Sequence, residues 1–262
     1  MALIAVVVLT IFVSAQSAFG WGLVTHVELA ESVLTQASIL ALAIGGLLSR
    51  NKRDFILGNL LADVIIGKKL SRRRKRCHDW IAGWRLLENS HDDRTKAFAY
   101  GFITHLAADT VAHNDFVPRQ IIRSGSTITL GHLYWELMAD QMTESADRKT
   151  IRRLLKQPPD FHEQFLEDHL YPEMRWYGLN RGVFTRINRL AHSSKFNLAM
   201  KVCHELSLFP LRDKDINHYK LEALGRMVDI LTHGKKSHLL KEDPNGSKAL
   251  LEIHENRRRK KV

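Results

Sequence analysis

The stretch His105-Leu-Ala-Ala-Asp109-Thr-Val-Ala-His113 limits what this chain can become more than any other. Three ionisable side chains recur at four-residue spacing inside a run of small, mostly apolar residues. In a helix, positions i, i+4 and i+8 lie on nearly one face, each about 6 Å further along the axis. That face must therefore accommodate two imidazoles and a carboxylate. A buried carboxylate is costly unless it is paired or coordinates a metal. Any one of these residues alone reads as a satisfied core group, so the rest of the chain has to decide.

Helical periodicity dominates after Trp21. Apolar residues recur at three- and four-residue intervals over 26–48, 95–115, 130–155, 161–170, 183–208 and 218–233. Ser126–Leu130 is the one short stretch whose alternation suits a strand. Turn signals fall at Gly67, Gly125, Pro158-Pro159, Gly178 and Asp243–Gly246. Val33–Leu48 reads as a single buried core helix. With 45% hydrophobic and 26% charged residues in 262, the chain can bury a sizeable core. The expected fold is all-α: a compact multi-helix single domain, with residues 21–150 forming its core. Residues 151–262 would complete or extend the same domain, with a basic tail at 255–262.

Residues 2–19 hold an apolar run too short for a comfortable membrane span and suited to a secretory signal, although no basic residue precedes it. Small residues allow cleavage after Ala15 or after Gly20. Export implies a secreted or periplasmic protein, in which Cys77 and Cys203 form one disulfide or remain two buried thiols. The net charge of +11 favours anionic partners: phosphates, anionic lipid or nucleic acid. No aromatic interleaving suggests a nucleobase-stacking platform, and nothing implies an obligate protein partner.

The candidate ligands, in order, are His26, Asp63, His78, His105, Asp109, His113, His132 and Glu136. His132 and Glu136 are again four apart, so a second helix presents an imidazole and a carboxylate on one face. This mixture of N and O donors suits zinc. The other nine histidines lack coherent spacing with the set and read mostly as surface residues. The His78-Asp79 doublet alone would suit an HD-type phosphohydrolase, but that leaves His132 and Glu136 unexplained. Trp80, Trp84, Trp135 and Trp176 read as core or interface anchors.

The order Trp21, His26, Asp63, His78, His105-x-x-x-Asp109, His113, His132-x-x-x-Glu136 resembles the zinc-dependent phospholipase C family and the wider superfamily it shares with S1/P1 nucleases. The resemblance spans roughly residues 21–140. The Trp-Gly start with four residues before His26 is nearer the nucleases, whereas Glu136 is nearer the phospholipases. The four-residue step from Asp109 to His113 is tighter than in the best-known members of either branch, and the HLAADxxxH form resembles less-studied phospholipase-like relatives.

The resemblance implies three zinc ions per chain, in a buried multinuclear metal site that makes residues 21–150 a metal-binding catalytic core. One would take Asp63, His78, His105 and Asp109; a second His113, His132 and Glu136; a third the amine and carbonyl of Trp21, with His26 and the other Asp109 oxygen. Cleavage after Gly20 would then be a functional step, because an internal amide nitrogen is a poor ligand. Zinc ions about 3.5–4 Å apart would activate water and stabilise the leaving oxygen of a phosphodiester, with Asp63 as the implied catalytic group. The implied substrate is a phospholipid headgroup phosphodiester. The alternatives are a nuclease on the same metals, with nucleic acid as substrate, or a non-catalytic metal-bearing protein that binds membranes or polyanions. Arg72, Arg73, Arg74, Lys75 and Arg76, next to His78, would gather phosphate or dock an anionic membrane, or form an ordinary solvated loop. The Asn245-Gly-Ser247 triplet has the form of a glycosylation acceptor.

Overall fold

A computed structural model describes residues 21–64, 78–143, 150–151, 153–154, 161–170, 177–191 and 193–259. Among these there is no strand, and the chain is helical as expected. The helices are α1 (Leu23–Thr35), α2 (Leu42–Arg50), α3 (Lys52–Leu61), α4 (Trp80–Glu88), α5 (Asp93–Val111), α6 (Val117–Ser124), α7 (Ile128–Gln141), α8 (Phe161–Leu170), α9 (Tyr177–Ala191), α10 (Ser194–Glu205), α11 (Asp213–His233) and α12 (Ser247–Arg259). The candidate signal segment, the Arg72–Arg76 cluster, Cys77, Trp176 and the end of the basic tail lie outside the described residues.

Helix α5 is the axis of the molecule. A capping box starts it: the Asp92 carboxylate accepts from the backbone N–H groups of Arg94 and Thr95, and the Thr95 hydroxyl pairs with the Asp92 backbone. From Gly101 to His113 every residue is buried. Such a segment has no solvated face, so its ionisable groups have only neighbouring elements to turn to. Helices α3, α4 and α11 pack directly on it, and α1 packs on α3.

The α3–α5 contact is close because glycine meets glycine. A Cβ on Gly58 would stand 2.0 Å from the Phe98 carbonyl oxygen, and one on Gly101 would stand 2.1 Å from that of Phe55. The two backbones therefore touch, and the end of α3 lies against His105 and Asp109. Beyond Val111 the helix widens into one π turn, Ala112–Phe116, before α6. Pro118 has no N–H to offer and sits where the hydrogen-bond ladder is already re-spaced. Gly125, at φ 65°, closes α6 in the left-handed region.

Several local expectations need correction. Val33–Leu48 is two helices separated by a short 3₁₀ turn at Ala37–Ile39, and Leu42 is 93% exposed. Gly45 of α2 lies against the Ala37 carbonyl, a packing possible only across that break. Ser126–Leu130 is no strand, because Thr127 caps the start of α7. Helices α3, α4, α6 and α12 were not marked by the periodicity at all. Cys203 is exposed on α10 and is not a buried thiol. Among the described residues, no helix is long and apolar enough to cross a membrane.

Candidate metal centre

Donor atoms of Asp63, His78, His105 and Asp109 converge within 4.8 Å of one another, and all four side chains are fully buried. The His78 and His105 Nε2 atoms are 2.9 Å apart. Each lies 3.6 Å from Asp63 Oδ1 and 3.3 Å from Asp109 Oδ2. Ligands about 2.0–2.1 Å from a tetrahedral zinc ion stand about 3.3–3.4 Å from each other. These five separations cluster around that edge length. The donors, two imidazoles and two carboxylates, are those zinc accepts, so the residues present fit the ion.

Local structure orients each donor. Asp63 follows α3 by two residues and is held against α5 by the glycine contact. His78 immediately precedes α4, whose N-cap is Asp79, its carboxylate accepting from Ala82 N–H. The doublet thus divides its labour: His78 faces the cage and Asp79 caps the helix. His105 Nδ1 is 2.9 Å from the Asn59 carbonyl. A carbonyl can only accept, so Nδ1 keeps its proton against Asn59, and Nε2 is the nitrogen that would give up its proton and offer a lone pair to a metal in the cage.

Asp109 joins two groups of residues. Its Oδ2 faces His78 and His105 and lies 3.7 Å from His113 Nε2. Its Oδ1 is 3.1 Å from His26 Nε2 and accepts from Trp21 N–H at 3.2 Å. Trp21 is fixed twice more: its indole N–H donates to Ala108 O at 3.0 Å, and its ring stacks on Phe116. The His26 ring stacks on that of His105 at 3.9 Å.

The electrostatics follow from this crowding. Burial pulls His105 down, but Asp109 and Asp63 outweigh it and hold the imidazole at about 9. Burial and repulsion from His105 lower His26 despite Asp109. Burial pushes Asp109 up, yet His105 and His26 keep it well below the usual carboxylate range.

His113, His132 and Glu136 form a neighbouring group that the four-atom cage does not include. The His113 and His132 rings are 5.0 Å apart, and His132 Nε2 lies 2.7 Å from Glu136 Oε1. The π turn carries His113 and α7 carries the other two; all three are buried. Among the remaining histidines, His162 departs from the surface reading. It is fully buried, with Nε2 3.0 Å from Asp54 Oδ1.

Three further residues support the site. Buried Asp140 accepts from Val24 N–H, Thr25 N–H and the Thr25 hydroxyl, and so clamps the start of α1 beside Trp21. Its signal was legible, because His132, Glu136 and Asp140 repeat the i, i+4, i+8 rhythm of the α5 stretch. Asn59 stands one turn before Asp63 in the same way. Asn245 carried no such sign. Its buried amide donates to the His78 carbonyl at 2.8 Å, which excludes it as a glycosylation acceptor in the folded chain. Next to it, Gly246, at φ 60°, lies against His113, where a Cβ would meet backbone at 2.6 Å. The 242–246 loop, remote in sequence, thus covers the centre.

A family model described as zinc dependent phospholipase C matches residues 25–178. No curated protein and no solved structure shows significant similarity to the chain. The matched segment exceeds half of the 262 residues and contains the whole buried cage together with His113, His132 and Glu136. On that match, the chain belongs to the zinc-dependent phospholipase C family.

Proposed function

We propose that the chain hydrolyses phospholipid headgroup phosphodiesters, using three zinc ions. The observation that carries this reading is the fully buried cage of Asp63, His78, His105 and Asp109, with its zinc-like donor separations, inside a zinc-dependent phospholipase C family segment. Asp63, His78, His105 and Asp109 would hold one ion. His113, His132 and Glu136 would hold a second. Trp21, through its amine and carbonyl, would hold a third with His26 and Asp109 Oδ1. Bound there, zinc supplies Lewis-acid stabilisation of phosphate charge and lowers the pKa of water toward about 7.

The chain's own groups do the rest. Asp63 orients the attacking water and accepts its proton. The Asn59 carbonyl holds the His105 tautomer, and the double use of Asp109 fixes the spacing between neighbouring donors. Hydroxyl adds to phosphorus, the bond to the glycerol oxygen breaks, and a proton goes to that oxygen, leaving diacylglycerol and a phosphorylated headgroup. Removal of residues 1–20 on export to a secreted or periplasmic location would give Trp21 the free amine this arrangement needs. Residues 21–150 then form the catalytic core, and 151–262 complete the same domain. Support for the latter comes from α11 on α5 and from the 242–246 loop on His78 and His113.

The test is release of water-soluble phosphorus from phosphatidylcholine and phosphatidylethanolamine, with single-stranded DNA in parallel. Headgroup release that chelation abolishes, and that Asp63→Asn lowers by roughly 100-fold or more, supports the proposal. DNA cleavage alone moves the assignment to a nuclease, and activity that survives chelation removes the metal from it.

A further inference from the structure

A second feature lies beside the metal centre, on the far side of Tyr219. A groove of about 960 Å³ runs between α6 and the start of α11. Arg119, Arg123, Arg212 and Lys214 line it, with His218 and Tyr219. Asp215, paired with Arg212 at 2.9 Å, is the carboxylate among the lining residues. Four cations against one anion leave the groove strongly positive.

Apolar side chains surround this charge. Ile122, next to Arg123 on α6, is 64% exposed, and Leu221, which lines the groove, is 68% exposed. Leu206 and Leu208, in the segment joining α10 to α11, are 78% and 89% exposed. Arg123 donates to Pro210 O, which ties that segment to α6. At the end of α12, Arg257 donates to Ile121 O and Ser126 O, adding another cation at the edge. A soluble polyanion would call for cations alone. Cations interleaved with protruding leucine and isoleucine fit a surface that is anionic at headgroup level and apolar just beneath it.

We infer that the face formed by α6, the 206–212 segment and the start of α11 docks on an anionic lipid bilayer, with Ile122, Leu206 and Leu208 entering the headgroup boundary. The groove is coupled to the metal centre by packing. Tyr219 lies 5.3 Å from Phe116, whose ring stacks on Trp21, and Trp21 donates to Asp109. A bilayer held there presents lipid next to the π turn that carries His113. Docking requires no catalytic step, so binding and hydrolysis can be read separately.

The experiment is vesicle co-sedimentation of the metal-loaded protein, with phosphatidylglycerol–phosphatidylcholine vesicles against phosphatidylcholine alone. Three variants accompany the wild type: Arg119→Gln/Lys214→Gln, Leu206→Ser/Leu208→Ser, and the charge-matched control Lys52→Gln/Lys236→Gln on exposed positions elsewhere. Binding to the anionic vesicles is expected. It should fall about 30-fold in the first variant, at roughly fivefold per basic side chain near the surface. It should fall at least tenfold in the second and stay within about twofold in the control. Hydrolysis of a monomeric short-chain phosphodiester, unchanged in all three, checks that the metal centre is intact. If that substrate is not hydrolysed but docking follows this pattern, the surface stands and the catalytic proposal falls. Three results would overturn the docking surface: no vesicle binding, equal loss in the control, or a leucine variant that binds like the wild type while heparin competes for the groove.

Discussion

Replacing Gly58 by alanine should open the metal cage from a distance. The new methyl group would stand 2.0 Å from Phe98 O, 2.9 Å from Phe102 N and 3.0 Å from Gly101 Cα. Real Cβ atoms essentially never approach closer than 3.0 Å, and all three obstacles are backbone, so α3 must retreat by about 1 Å or more. Asp63 moves with α3, whereas His105 and Asp109 stay on α5. Zinc–ligand distances tolerate about 0.2 Å, so the displacement is several times what the cage can absorb. Overpacking costs about 1–3 kcal/mol, and alanine's helix preference returns about 1 kcal/mol. The metal-free protein should therefore lose at most about 2 kcal/mol while zinc affinity falls more than about 100-fold, beyond the effect of disturbing outer-layer partners. Competition with a chromophoric chelator reads the affinity, and thermal unfolding in chelator reads the stability. Gly225→Ala is the control: nothing lies within 4 Å of its added Cβ, so it should keep zinc and gain about 1 kcal/mol. Wild-type zinc affinity in Gly58→Ala would refute the idea that helix approach sets the cage.

Other perturbations probe the supports and the charges. Asp140→Ala strands three donors at the start of α1; at about 1–3 kcal/mol per buried unsatisfied group, a loss of about 3–5 kcal/mol is expected in chemical denaturation. In the metal-free protein, His105 is raised from 6.5 to about 9. Its stabilising contribution is complete below pH 6.5 and is lost as pH climbs through 9. His26 is lowered from 6.5, so below that pH the unfolded chain takes up a proton first and stability falls again. Melting temperature in chelator should consequently peak near pH 6.5; a profile rising steadily to pH 9 would contradict the burial of these imidazoles among carboxylates. Zinc uptake by the Asp63, His78, His105 and Asp109 cage at pH 7 should also expel about one proton, from His105, and a third ion on the Trp21 amine should expel close to one more, measurable by calorimetry in buffers of differing ionisation enthalpy.

The sequence spoke most clearly where spacing and burial coincide. His105, Asp109 and His113 are legible because a helix turns four-residue spacing into a shared face, and α5 is buried on all sides. The same rhythm would have yielded Asn59 before Asp63 and Asp140 after Glu136. Helix boundaries were less legible around Val33–Leu48, where the apolar run continues through a break that Gly45 fills against Ala37. Helices α3 and α4 are short, and tertiary contact decides them more than periodicity does. The 242–246 loop over His78 and His113 left no local trace, since its role arises from a contact more than 120 residues away in sequence. His162 shows the reverse case: a histidine without partners in the pattern, buried all the same because α8 brings it to Asp54.

Metal content per chain, measured by inductively coupled plasma mass spectrometry on exported protein whose N-terminal residue is sequenced from the same sample, bears on the trinuclear centre without any assumption about substrate. Three zinc ions with Trp21 as the first residue are expected; one ion or none in that same mature chain would contradict the sharing of Asp109 between neighbouring sites.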